Sequence, residues 1–249
     1  MILDYATLLS PTPIKLRIGT IRKPTLREIA EIGFDTLGLY EYFMKLTPSK
    51  YHTDIKKDEL TSADETLFSL IVTDEGLREI YQKMFSFFIV EPVVWRGDMF
   101  VIFKQGTDTE AELNKDNISG VVFEDNIEEL LEVFQQVCCI YEEEKPKEEL
   151  KFKNKKAKEL YERMQEAEAE SKKATDKNFS TANIISAVSN RHPTINPISV
   201  WDLTQYQLID AFNRLRTNEI YDIDAKRVST WGDEKRTFDI SLWYKNYVK

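Results

Sequence analysis

The chain has 249 residues and a formal net charge of -9 at neutral pH, with 43 acidic against 34 basic side chains. That balance argues against a general nucleic-acid binder, because phosphate affinity needs surplus Lys and Arg. Hydrophobic residues make up 42% and charged residues 31%, which suits a soluble folded protein of one large or two small domains.

No apolar run approaches the roughly 20 residues needed to span a bilayer, so no membrane partner is expected. Met1-Ile2-Leu3-Asp4 lacks the basic start and apolar core of a signal peptide. The two cysteines, Cys138 and Cys139, are neighbours and read as reduced thiols of a cytosolic protein. Two Cys and two His (His52, His192) without ligand spacing give no zinc set.

From the N-terminus, Pro13 to Ile21 alternates Ile14, Leu16 and Ile18 against Lys15 and Arg17, the pattern of one half-buried strand. Pro24 ends it. Thr25 and Glu28 form a capping box, and Leu26, Ile29 and Ile32 follow at helical spacing. Leu37, Tyr40, Tyr42, Phe43 and Leu46 predict a second apolar helix before Pro48, with an aromatic stripe that reads as core packing. Ser49 to Leu60 is polar and reads as a loop.

Ser62-Ala63-Asp64-Glu65 predicts the opening of a helix through Leu67, Phe68, Leu70 and Ile71. Asp74 opens the next, with Leu77, Ile80, Tyr81, Met84, Phe85 and Phe88 inward. Ile89 to Trp95 and Met99 to Phe103 predict a β-hairpin around Arg96-Gly97-Asp98. Pro92 favours an edge position for its first strand. Arg96-Gly97-Asp98 is also the tripeptide read by integrins, but Gly-Asp is ordinary turn chemistry. Thr107 to Asn117 is a polar loop and Gly120 to Glu124 a third short strand. Asp125 and Glu128 are the expected caps of a helix that buries Ile127, Leu130, Leu131, Phe134, Val137, Cys138 and Tyr141.

Glu142 to Asn178 differs in kind, with 11 acidic and 11 basic side chains and few apolar positions. It reads as a solvated connecting helix or a flexible linker. Beyond it, Ile184, Ile185 and Val188 keep helical spacing, with Ser180 or Thr181 as N-cap, until Pro193 and Pro197 interrupt. Ser199 and Asp202 have capping-box spacing and predict a helix whose face carries Trp201, Leu208, Phe212 and Leu215. Gly232 after Trp231 marks a turn or helix end. The closing aromatic run, Phe238 to Tyr244, either folds back on its own helices or docks another subunit.

No catalytic constellation stands out. Phosphate-binding glycine motifs and the G-x-S-x-G elbow are missing from the sequence, and only eight glycines occur. His192, in an Arg191-His192-Pro193 turn, reads as a turn residue rather than a general base. Asp222 and Asp224, with Asp233, Glu234 and Asp239 downstream, read as solvated turn carboxylates rather than ion ligands. The expected site therefore has no catalytic residue, metal or cofactor.

The order HP…N…VWDLT.YQL.D.F.RL, then YDI, WG and FD.SLWYK, is carried by His192, Pro193, Asn196, Trp201, Leu203, Tyr206, Leu208, Phe212, Leu215, Trp231, Gly232, Phe238, Asp239, Trp243 and Tyr244. It resembles the C-terminal block of uncharacterised proteins in the tail-gene modules of tailed phages of Gram-positive bacteria. Ile18 to Ile29 is similar to the same proteins. The resemblance covers both ends of the chain and implies a non-enzymatic role in tail assembly, resembling a tail assembly chaperone. It places the protein in the host cytoplasm during assembly, or in the virion.

Together these readings give a predominantly helical α+β fold. They divide it into an N-terminal α+β domain at 1–144, a charged helical connector at 145–178 and an aromatic-rich helical module at 179–249. The expected partners are other phage tail proteins, such as the tape measure protein, and a homo-oligomer is compatible with the sequence. The candidate contacts are Trp201, Tyr206, Trp231, Trp243 and Tyr244, since such side chains dominate interface energetics. The alternatives are a structural virion subunit of baseplate, neck or capsid, and an enzyme built on His192 or the carboxylates near Asp222.

Overall fold

The computed structural model describes residues 2–57, 65–110, 113–140, 180–234 and 237–244. The fold is α+β and predominantly helical, with two small antiparallel sheets. The chain divides into two units, Met1–Ile140 with Trp201–Gln207, and Tyr141–Val200 with Leu208–Lys249. The charged connector lies outside the described residues.

In the first unit, α1 (Tyr5–Leu9) is capped by Asp4, whose carboxylate accepts from Thr7 N–H. The next segment is a hairpin, not the single strand that its alternation predicts. β1 (Ile14–Leu16) pairs with β2 (Gly19–Ile21) across the two residues Arg17 and Ile18. Lys23 is buried beneath α1, where its ammonium donates to Thr7 O and Ser10 O.

Thr25 caps α2 (Leu26–Ile32) through the reciprocal bonds with Glu28 that the sequence predicts. Gly33, at φ +89°, ends α2 and lets α3 (Phe34–Met44) start at a new angle. Leu37, Tyr40, Phe43 and Met44 face inward. The predicted loop after Pro48 is helical as far as Lys56. α4 (Pro48–Lys50), capped by Thr47, continues as a π-helical turn, Tyr51–Lys56. Its buried residues, Tyr51 and His52, are adjacent in sequence, so no 3.6-residue period announces them.

Thr66 caps α5 (Leu67–Thr73), the predicted opening Ser62–Asp64 lying outside the described residues, and Asp74 caps α6 (Glu75–Phe88). The core lies between α6, α7 (Ile127–Val137) and the sheet β3-β4-β5: Val93–Arg96, Met99–Phe103 and Ile118–Val122. Tyr81, Phe85, Phe88, Phe100, Phe103 and Phe134 are its largest fully buried side chains. β4 is central and β3 is an edge strand, in keeping with Pro92. Gly97, at φ +65°, supplies the hairpin turn. β5 begins two residues earlier than predicted. The α7 cap is also displaced, because Asn126 rather than Asp125 joins the elements: its side chain accepts from Phe123 N–H and donates to Val121 O.

The first unit is completed by Trp201–Gln207, which the sequence places in the C-terminal module. Leu26 N–H donates to Leu203 O at 2.8 Å, and Thr25 and Thr204 form an antiparallel bridge. Arg27 meets Asp202 at 2.8 Å, Gln205 donates to Glu41 at 3.0 Å, and Gln207 donates to Leu9 O at 2.8 Å. Tyr206 packs its ring 6.3 Å from that of Tyr5.

In the second unit, α8 (Thr181–Arg191) starts at its N-cap Ser180 and buries Ile184, Ile185 and Val188. α9 (Gln205–Trp231), whose first turn belongs to the first unit, is longer than predicted and starts later. Its cap is the box Thr204–Gln207, with Gln207 N–H donating to Thr204 Oγ1 and Thr204 N–H to Gln207 Oε1. Ser199–Asp202 instead forms a 3-10 turn, so Trp201 lies off the helix. Thr-x-x-Gln outcompetes Ser-x-x-Asp because the longer Gln amide reaches back to the cap N–H. Ile220 to Asp224 continues α9, and Gly232, at φ +79°, stops it by donating its N–H to Val228 O at 2.8 Å.

Candidate functional site

The five predicted contact residues fall in both units. Tyr206 is only 4% exposed and Trp201 is half-buried, both in the segment that completes the first unit. Tyr206 is therefore a packing residue of its own fold and is corrected out of the contact set. The other three belong to the second unit and lie in water: Trp231 at 82%, Trp243 at 53% and Tyr244 at 58% exposure.

The tail after α9 is only partly folded back. The Asp233 carboxylate accepts from Phe238 N–H and Thr237 N–H, which lowers its pKa, and this turn brings the Phe238 ring centroid to 5.4 Å from that of Tyr221. Beyond it, Ile240 is 67% exposed. Trp243 and Tyr244 meet edge to face at 5.0 Å in a 3-10 turn, Leu242–Tyr244.

His192 is half-buried, and its Nδ1 accepts from Ile195 N–H at 3.2 Å and Thr194 N–H at 3.3 Å. One ring nitrogen is thus committed to the turn. Asp222 is exposed on α9 and Asp224 pairs with Arg227 at 3.2 Å. Among the described residues, no group of three or more His, Cys, Asp or Glu is arranged to hold a metal ion, and no helix is long and apolar enough to cross a membrane.

A polar cleft that the sequence did not reveal lies in the first unit. It has a volume of about 390 Å³ and is walled by the π-helical turn, by Glu65 and by the start of α6. Buried His52 places Nε2 2.7 Å from Glu65 Oε2. Asp74 accepts from Tyr51 OH and meets Lys56 Nζ at 2.9 Å, while also capping α6. The Tyr51 hydroxyl, then Lys56, hold the Asp74 carboxyl down from its ordinary 3.8 to about 2. The signal was present in His52, Glu65 and Asp74, but their meeting depends on the helix turns between them.

A folded-state pKa below the unfolded one stabilises the protein above about pH 4, and that contribution is lost as pH falls from 3.8 towards 2. At this partly open site, solvent screening reduces it to about 1 kcal/mol. Asp74→Asn should cost that much at neutral pH and little near pH 2, as read from urea melts across that range.

Comparison with known families decides what the C-terminal part resembles. Residues 171–247 match the family model described as YomV second domain. The YomV-type segment covers less than half of the chain and contains Trp201, Trp231, Trp243 and Tyr244. That family is phage-associated, of Bacillus prophage type. No curated protein and no solved structure matches the chain.

Proposed function

We propose that the chain is a non-enzymatic phage or prophage tail-module protein that acts in tail assembly. It is a chaperone-like binder that covers apolar segments of another tail protein, such as the tape measure protein, until polymerisation. The observation that carries this reading is the exposed aromatic end of the second unit, Trp231, Trp243 and Tyr244. Large aromatic side chains supply much contact area and dominate interface energetics. The YomV-type match over the same residues supports a phage setting.

Mass spectrometry of purified particles, beside a pull-down from phage-producing cells, tests it. A chaperone is absent from particles and captures a tail protein. Presence in particles in fixed copy number would replace this reading with that of a structural subunit of baseplate, neck or capsid.

A further inference from the structure

The exposed residues of α3 and its C-cap are Phe34, Asp35, Gly38, Leu39, Tyr42 and Lys45. At 3.6 residues per turn, Asp35, Gly38, Leu39, Tyr42 and Lys45 fall on one face. The two ends of that face carry opposite charges. Neither Asp35 nor Lys45 has an ion-pair partner among the described residues. The middle of the face is uncharged, with Leu39 at 46% exposure. The Tyr42 hydroxyl donates to Asp54 at 3.0 Å, which holds the ring in one orientation.

Gly38 lies between these side chains. Its backbone is outside the left-handed region and a Cβ there would meet nothing within 4 Å, so its own fold does not require glycine. Glycine inside a helix is less stable than alanine. What it supplies is a notch in an apolar face, where a second helix can approach closely.

We propose that this face is a dimerisation surface, with α3 of a second copy packed antiparallel across a two-fold axis level with Tyr40. In that register Asp35 of each copy lies level with Lys45 of the other, and Tyr42 of each with the Gly38 notch of the other. The two charges stand about 15 Å apart along the helix. They match the same helix reversed, whereas a parallel copy would set like charges together. Isologous symmetry makes each pairing twice. A face one helix long makes a small interface, so the dimer is weak and depends on concentration.

Sedimentation equilibrium of the full chain, up to about 1 mM, tests this. The wild type should dimerise within that range. Asp35→Lys and Lys45→Glu, both at exposed positions, should each weaken the dimer about tenfold, because each sets two like-charge pairs across the axis. The double variant restores two opposite pairs and should return to within about threefold of the wild type. Gly38→Gln places a good helix former at an open position and fills the notch, so the protein should stay folded and become monomeric. A wild type that is monomeric throughout the series would overturn the proposal. So would a dimer that Gly38→Gln leaves intact, or a double variant no tighter than the single ones. The purified chain is measured alone, so the outcome is independent of the tail-assembly reading.

Discussion

Phe85→Ala is expected to lower the stability of the first unit by about 3–5 kcal/mol. Phe85 is fully buried at the centre of an aromatic cluster. Its ring lies 4.8 Å from Phe100, 5.8 Å from Tyr81 and 6.0 Å from Phe134, so three elements lose a shared neighbour when it is cut back. Domain stabilities are typically about 5–15 kcal/mol, so a loss of this size brings the unit close to unfolding. Trp95 packs 4.8 Å from Phe100 and reports the transition by fluorescence. A shift below about 1 kcal/mol in a denaturant melt would show that α6 and the sheet do not share this core.

Gly120→Ala should be nearly as damaging, although it adds one methyl group. A Cβ at Gly120 would lie 2.3 Å from Ile18 O and 2.5 Å from Ile18 Cα. Those are backbone atoms in the turn of the β1–β2 hairpin, and they cannot rotate away. The hairpin must lift off β5, which exposes Ile14 and Ile21 and loosens the bridge between Ile21 and Ile89. Overpacking of this kind costs about 1–3 kcal/mol, and a clash with backbone belongs at the upper end. Gly38→Ala is the matched control. A Cβ there meets nothing within 4 Å, and Gly38 sits inside α3, so alanine should stabilise by about 0.5–1 kcal/mol. Opposite signs at the two glycines, in the same melt, are the expected result.

Where a local pattern decides the structure, the sequence is legible. Thr25 and Glu28 cap α2, Asp74 caps α6, Gly97 turns the hairpin, and Gly232 stops α9. These signals need only a few neighbouring residues and a specific backbone requirement. Reading fails where a distant partner decides. Arg17 and Ile18 form a turn without a turn residue, because their hairpin is held by pairing with Ile89 and by the gap at Gly120. Trp201 looks like the first residue of a helical face, yet Leu26, Arg27 and Thr25 hold its neighbours outside the helix.

The site follows the same division. The aromatic richness of the C-terminal block is plain from composition, but which of those aromatics remain in water depends on tertiary packing. Tyr206 is buried in the segment that completes the first unit, while Trp231, at the end of α9, is 82% exposed. The cleft beside His52 joins residues from three segments, and no spacing rule links them.

Co-expression with the tape measure protein of the same phage module tests the central claim most directly. The wild-type protein is compared with a Trp231→Ser, Trp243→Ser, Tyr244→Ser triple variant, whose fold should be unaffected because all three side chains are exposed. The wild type should keep the tape measure protein soluble and co-purify with it, and the triple variant should lose both effects. A triple variant that holds the partner as well as the wild type, or a tape measure protein equally soluble without either, would contradict the assignment of this surface and of its role.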